Sequence, residues 1–113
     1  MKSKIIALSK NEEFKFLLKQ NKISNKYVSI FFGKLKNKYN KKINISFVTK
    51  KKLGNAVKRN KIKRRLRNIM NEAVNKISIN YNYSFLVIAK SSMLNNEYKI
   101  IKETLFQDFK KIK

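Results

Sequence analysis

Residues 55–78 repeat apolar side chains at helical spacing: Ile62, Leu66, Ile69, Met70, Ala73, Val74 and Ile77. The protein contains no proline, and Gly54 is the second and last of its glycines, so nothing interrupts the pattern. A long helix with one apolar stripe needs a surface to lie against, and the rest of the chain supplies strands. Residues 27–32 are β-branched and aromatic. Residues 43–49 alternate Ile43, Ile45, Phe47 and Thr49 with Asn44, Ser46 and Val48, as a half-buried strand does. Residues 84–90 read as a fully buried strand, and the polar stretch 33–42, with Asn37 and Asn40, suits a hairpin loop.

Two further helices complete the pattern. Asn11 is placed to cap a helix over residues 11–20, whose first turn holds Glu12 and Glu13 and whose stripe is Phe14, Leu17 and Leu18. Asn95 or Asn96 is placed to cap a last helix with Ile101, Leu105 and Phe109 inward. The order α-β-β-α-β-α predicts one mixed sheet with helices packed on it, an α+β sandwich. At 113 residues, with no repeat and no linker, the expectation is a single domain over residues 1–113.

Charge narrows the function. Lys and Arg number 29 against 6 Asp and Glu, a formal net charge of +23. A foldable chain of that charge repels itself and calls for a polyanion, nucleic acid first and an anionic membrane second. Part of the excess is compositional drift towards Lys, Asn and Ile, which together make 54 of the 113 residues. With neither Cys nor His, the chain has no thiolate nucleophile and lacks the usual general base and nitrogen ligand for metals. The scattered acids Glu12, Glu13, Glu72, Glu97, Glu103 and Asp108 form no evident carboxylate cage, so no catalytic and no metal-binding residue is expected. No apolar run approaches a membrane span, and the start lacks a signal-peptide core, so a cytoplasmic protein is expected.

The basic residues are not spread evenly. Residues 50–67 hold Lys50, Lys51, Lys52, Lys58, Arg59, Lys61, Lys63, Arg64, Arg65 and Arg67, and no acid. A solvated helix face is the plain reading of such a run. Three features favour phosphate binding instead. All four arginines of this lysine-rich chain fall there, where a planar, bidentate cation differs from a point charge. Lys58 and Arg59 sit in a helix's first turn, where cations are unfavourable unless an anion joins the free N–H groups. At about 100° per residue, Arg59, Lys63, Arg67, Asn60 and Arg64 span an arc of about 140° beside the buried stripe, while Lys61 and Arg65 point elsewhere.

The stretch Lys51-Lys52-Leu53-Gly54-Asn55-Ala56-Val57-Lys58-Arg59-Asn60-Lys61-Ile62-Lys63-Arg64-Arg65-Leu66-Arg67 resembles the "RNR" motif of the protein subunit of bacterial ribonuclease P. Length, element order and the Asn11-Glu12-Glu13-Phe14 helix opening extend the resemblance over essentially the whole chain. It implies a fold like the second domain of a small-subunit ribosomal protein, with a left-handed β-α-β crossover. It further implies binding to a catalytic RNA that removes the 5′ leader of precursor tRNA with bound Mg²⁺. The partners implied are thus that RNA and precursor tRNA, with neither membrane nor DNA, and the Mg²⁺ is held mainly by the RNA. The protein would be a holoenzyme component without catalytic residues of its own. By the resemblance, Lys51, Lys52, Asn55, Arg59, Asn60, Lys63, Arg64 and Arg67 face the RNA, and a cleft between the first helix and the sheet takes the leader. Phe14, Tyr27 and Phe31 are its candidate aromatics, Tyr27 and Phe31 being read as sharing a strand face at i and i+4.

The chain departs from the family at Leu18, where a second aromatic often follows the first by one turn; leucine does not stack on a base as an aromatic does. Phe14 is equally suited to be a plain core residue. Competing readings are a ribosomal or other structural RNA-binding protein, a metal-dependent nuclease built on Glu12, Glu13 and Glu72, and a DNA-binding helix-turn-helix. The last fits poorly because the basic helix follows a strand.

Overall fold

The computed structural model describes residues 5–6, 11–34, 43–80 and 82–112. In chain order the elements are β1 (Ile5–Ile6), α1 (Asn11–Leu18), β2 (Asn21–Ser24), β3 (Val28–Gly33), β4 (Ile43–Val48), α2 (Ala56–Lys76), β5 (Ser84–Ala89) and α3 (Tyr98–Lys111). Short 3-10 turns, Lys51–Leu53 and Ser91–Met93, precede α2 and α3. The strands form one mixed sheet in the order β1-β4-β5-β3-β2. β4 runs parallel to both β1 and β5, whereas β3 is antiparallel to β5 and β2.

The most apolar strand, β5, takes the centre, where both faces are covered. Phe85, Val87 and Ala89 join Val28, Ile30, Ile43 and Ile45 in the main core. α2 adds Ile62, Leu66, Ile69, Met70 and Ala73 there, and α3 adds Ile101, Leu105 and Phe109. Phe85 and Phe109 meet edge to face with centroids 5.4 Å apart. Leu86 points to the other face, where Leu17 of α1 covers it, flanked by Phe14, Phe31, Val48 and Ile88. α1 lies close on β3 because Gly33 has no side chain: a Cβ there would stand 2.8 Å from Gln20 Cγ and 3.4 Å from Leu17 Cδ2.

The six expected elements are present in the expected order, with two more strands. Two-residue β1 is too short to leave a pattern, and β2 (Asn-Lys-Ile-Ser) is an edge strand with only Ile23 partly buried. The hairpin expectation is corrected: β3 and β4 are not neighbours, because β5 lies between them. Asn37 and Asn40 fall outside the described residues. Asn44, expected on a polar face, is buried and donates from Nδ2 to Ser84 Oγ at 3.0 Å across the β4–β5 pair. The residue preceding α3 is Glu97, which makes no capping bond, while Asn96 Nδ2 donates to Ser92 O at 2.7 Å. α3 is tied to α2 by Lys102 and Glu72, 3.1 Å apart. Beside that pair, burial and then the Glu72 charge raise the Tyr98 phenol above 10.0, against the opposing effect of Lys102.

A candidate RNA interface

The basic run begins where β4 ends. Leu53 is buried and pins the Lys51–Leu53 turn, leaving Lys50, Lys51 and Lys52 exposed around it. Gly54 then turns the chain at φ 136°, ψ −168°, and the Lys58 side chain lies against it. Asn55 caps α2: its Oδ1 accepts from the Lys58 backbone N–H at 3.0 Å. That oxygen is therefore engaged in the cap, and the exposed amide NH₂ of Asn55 is the donor this residue offers a phosphate.

Along α2, Asn60, Arg64 and Arg67 are exposed, while Arg59 and Lys63 are half-buried against the flank of the apolar stripe. Arg59 Nε is shielded from solvent without a hydrogen-bond partner among the described residues. None of these cations forms an ion pair among the described residues; Glu72, the helix's one acid, is taken by Lys102. A helix start with no acid in its first turn and this much unpaired charge is held at an electrostatic cost that an anion removes. Arg65 differs: its Nη1 donates to Met93 O at 3.1 Å and Asn96 O at 3.0 Å, so it belongs to the packing of the loop before α3.

The α1 face of the sheet forms a second surface. Phe14 and Phe31 are half-buried in one cluster there, and the Lys22 ammonium rests 5.4 Å from the centre of the Phe31 ring. Phe16 and Leu18 stay exposed on α1, at 40% and 47%. Tyr27 does not share this face. It sits in the main core, 4% exposed, on the opposite side of the sheet. The reason is local: Asn25 Oδ1 accepts from the N–H groups of Tyr27 and Val28 at 2.7 and 3.0 Å, making residue 27 part of a turn. Strand alternation therefore starts one residue later.

A pocket of about 500 Å³ lies between the turn before α2 and the end of β5. Its walls are Lys50, Lys52 and Leu53 from the turn, Ser29 and Ile88 from the α1 face, and Ala89, Lys90 and Ser91 at the end of β5. Sequence reasoning did not single out Ser29, Lys90 or Ser91. The available signal was Lys90 itself, a cation closing a strand with no other charge, but sheet order was needed to bring β5 beside β4. Among the described residues no three acidic side chains gather as metal ligands, and three lysines line the pocket.

Comparison with known proteins resolves the family. The model of the family Ribonuclease P matches residues 3–113. The chain belongs to the ribonuclease P protein family. It is similar to the ribonuclease P protein component of Fusobacterium nucleatum, 37% identical over 111 residues, covering 94% of this chain and 96% of that one. The component from Carboxydothermus hydrogenoformans is 32% identical over 110 residues, covering 94% and 90%. Among solved structures, the RNase P protein of Staphylococcus aureus superposes with a TM-score of 0.76 at 28% identity, covering 94% of this chain and 93% of that one. The RNase P protein of Thermotoga maritima, at 23% identity, shares the fold with a TM-score of 0.80 over 96% and 98%. As a ribonuclease P protein component, this chain is part of an endoribonuclease holoenzyme, is the partner of the ribonuclease P RNA, and serves in tRNA 5′ processing with it. A purely structural ribosomal role is not favoured by these matches. Among the described residues no helix is long and apolar enough to cross a membrane.

Proposed function

We propose that the basic edge of α2 and its preceding turn bind the catalytic RNA while the α1 face of the sheet holds the single-stranded 5′ leader of precursor tRNA. The observation that carries this reading is the pocket that brings Lys50 and Lys52 of the turn before α2 beside Ser29 and Ile88 of the α1 face, which supports one protein touching catalyst and leader together. Phosphate contacts from Lys51, Lys52, Arg59, Lys63, Arg64 and Arg67, with Asn55 and Asn60 as neutral donors, supply affinity and register without reading bases. On the other surface a leader base would stack on Phe31, with Phe14 beside it. Lys22 would have to leave the ring, giving up about 0.5–1 kcal/mol of exposed cation–π energy for a base stack of about 1–3 kcal/mol. The exchange is favourable, and it frees an ammonium for a leader phosphate.

No protein side chain is assigned to the hydrolytic step. Mg²⁺, held mainly by the RNA, would activate the attacking water and stabilise the leaving oxygen. The protein's part is to raise affinity for the precursor and to neutralise phosphates crowding the metal sites. These activities belong to the cytoplasm, where precursor tRNA is made. The test is cleavage of 5′-labelled precursor tRNA by the cognate RNA at low Mg²⁺, with and without the protein. The expected results are no cleavage by RNA-free protein and a lower Mg²⁺ requirement for the RNA when the protein is present. Cleavage at the mature 5′ end by RNA-free protein refutes the division of labour.

A further inference from the structure

One arginine of the basic run, Arg65, is hydrogen-bonded within the protein. Both N–H groups of Arg65 Nη1 reach backbone carbonyls, Met93 O at 3.1 Å and Asn96 O at 3.0 Å, in the connection between β5 and α3. The same connection is fastened on its far side to the turn before β3. Lys90 N–H donates to Tyr27 O at 2.8 Å, Lys90 Nζ to Asn25 O at 2.6 Å, and Ser92 Oγ to Lys26 O. Its first residues, Lys90 and Ser91, form the rim of the pocket. The segment thus hangs between two anchors, one of them on the helix that carries the RNA-facing side chains.

We infer that Arg65 is a positioning residue: it ties residues 90–97 to α2 and so sets where Lys90 and Ser91 stand relative to the RNA-binding edge. A guanidinium suits the task. Two N–H bonds diverging from one planar nitrogen meet two carbonyls three residues apart, and their positive charge strengthens both bonds in a half-buried place. Lysine's flexible ammonium has no such fixed fork, which explains an arginine off the phosphate-facing arc in a chain that otherwise favours lysine. The inference rests on the reading of the pocket as part of the leader surface.

The test uses the protein reconstituted with its cognate RNA. Arg65→Leu, which suits a helix and a half-buried site, is compared with wild type in three measurements. Hydrogen exchange at the Met93 and Leu94 amides is expected to rise at least fivefold with α2 amides unchanged. The preference for precursor over mature tRNA is expected to fall at least fivefold. The salt dependence of binding to the catalytic RNA is expected to stay as in wild type. Loss of about one phosphate from that salt slope would make Arg65 an RNA contact and overturn the inference. So would unchanged exchange at Met93 and Leu94, or an undiminished tRNA preference despite faster exchange. Should Arg65→Leu not fold, Arg65→Met is read by the same criteria. A wild-type holoenzyme without any precursor preference would instead refute the leader reading, and the exchange data would still decide the tether.

Discussion

Gly54 joins the Lys51–Leu53 turn to α2 at φ 136°, ψ −168°, and Gly54→Ala tests whether that turn shapes the RNA-binding edge. This backbone conformation is essentially closed to residues with a Cβ, and holding alanine in it costs on the order of 1–3 kcal/mol. The new methyl would also stand 2.8 Å from Lys58 Cδ and 3.2 Å from Lys58 Cβ. The outer carbon can swing away, but the Cβ is fixed to the first turn of α2, so the turn itself must shift. A shift that breaks the Asn55 cap adds about 1 kcal/mol. A total of about 2 kcal/mol corresponds to a fall in Tm of roughly 8 °C in a domain of this size. Where the variant relaxes the turn, RNA must restore it, and about 1.4 kcal/mol of that cost appears as a tenfold loss of affinity. Thermal denaturation and titration with the catalytic RNA measure the two effects. Gly54→Asn sharpens the test, since asparagine tolerates the compact left-handed conformation but not this extended one, and it should be no better than alanine. An alanine variant within about 0.5 kcal/mol of wild type, or full rescue by asparagine, would refute the reasoning.

Arg64→Ala and Arg67→Ala should each weaken binding to the catalytic RNA and reduce its salt slope by about one phosphate, with Lys99→Ala as a far smaller control; equal effects from all three would mean diffuse charge does the binding. Arg59→Lys keeps the charge but removes the shielded, unpartnered Nε, and should cost on the order of 1–3 kcal/mol in the same titration, against nothing for a mere point charge. Asp108 is buried and accepts from Asn25 Nδ2 at 2.7 Å, so Asp108→Ala should lower stability in urea by about 1–3 kcal/mol through the orphaned turn, with an unchanged salt slope for RNA. A slope that falls with Asp108→Ala would show that the 25–27 turn contributes to RNA contact.

The helices and inner strands were legible because their side chains repeat at periods set by backbone geometry alone. Ile62, Leu66, Ile69 and Ala73 all reached the core as the helical stripe required. Helix α2 begins one residue after Asn55, where its periodic pattern opens. Neighbour relations were not legible. Nothing in residues 33–42 reveals that β3 and β4 are kept apart by a strand 40 residues further on, so the pocket wall made by Lys90 and Ser91 stayed hidden. Tyr27 shows the limit of alternation in a different way. A side-chain bond from Asn25 ends the turn one residue later than composition suggests, and one residue is enough to send a ring to the other face. Arg65 sat on the predicted side of the helix, away from the phosphate-facing arc, but its carbonyl partners belong to a segment no local pattern could place.

The position of β5 has a consequence for the order in which the molecule is built. Its two neighbours, β3 and β4, are synthesised long before it, yet in the folded sheet each pairs with β5 and not with the other. Until residues 84–89 leave the ribosome the sheet has no centre, and α2 has only an incomplete surface to cover. Folding must then close several long loops at once, which favours a slow, late and cooperative transition over stepwise growth from the N-terminus. During that interval the nascent chain is an unfolded polycation amid RNA. The lysines and arginines proposed to bind one RNA are then available to any polyanion, and closure of β5 into its slot completes the sheet against which the helix that carries them packs.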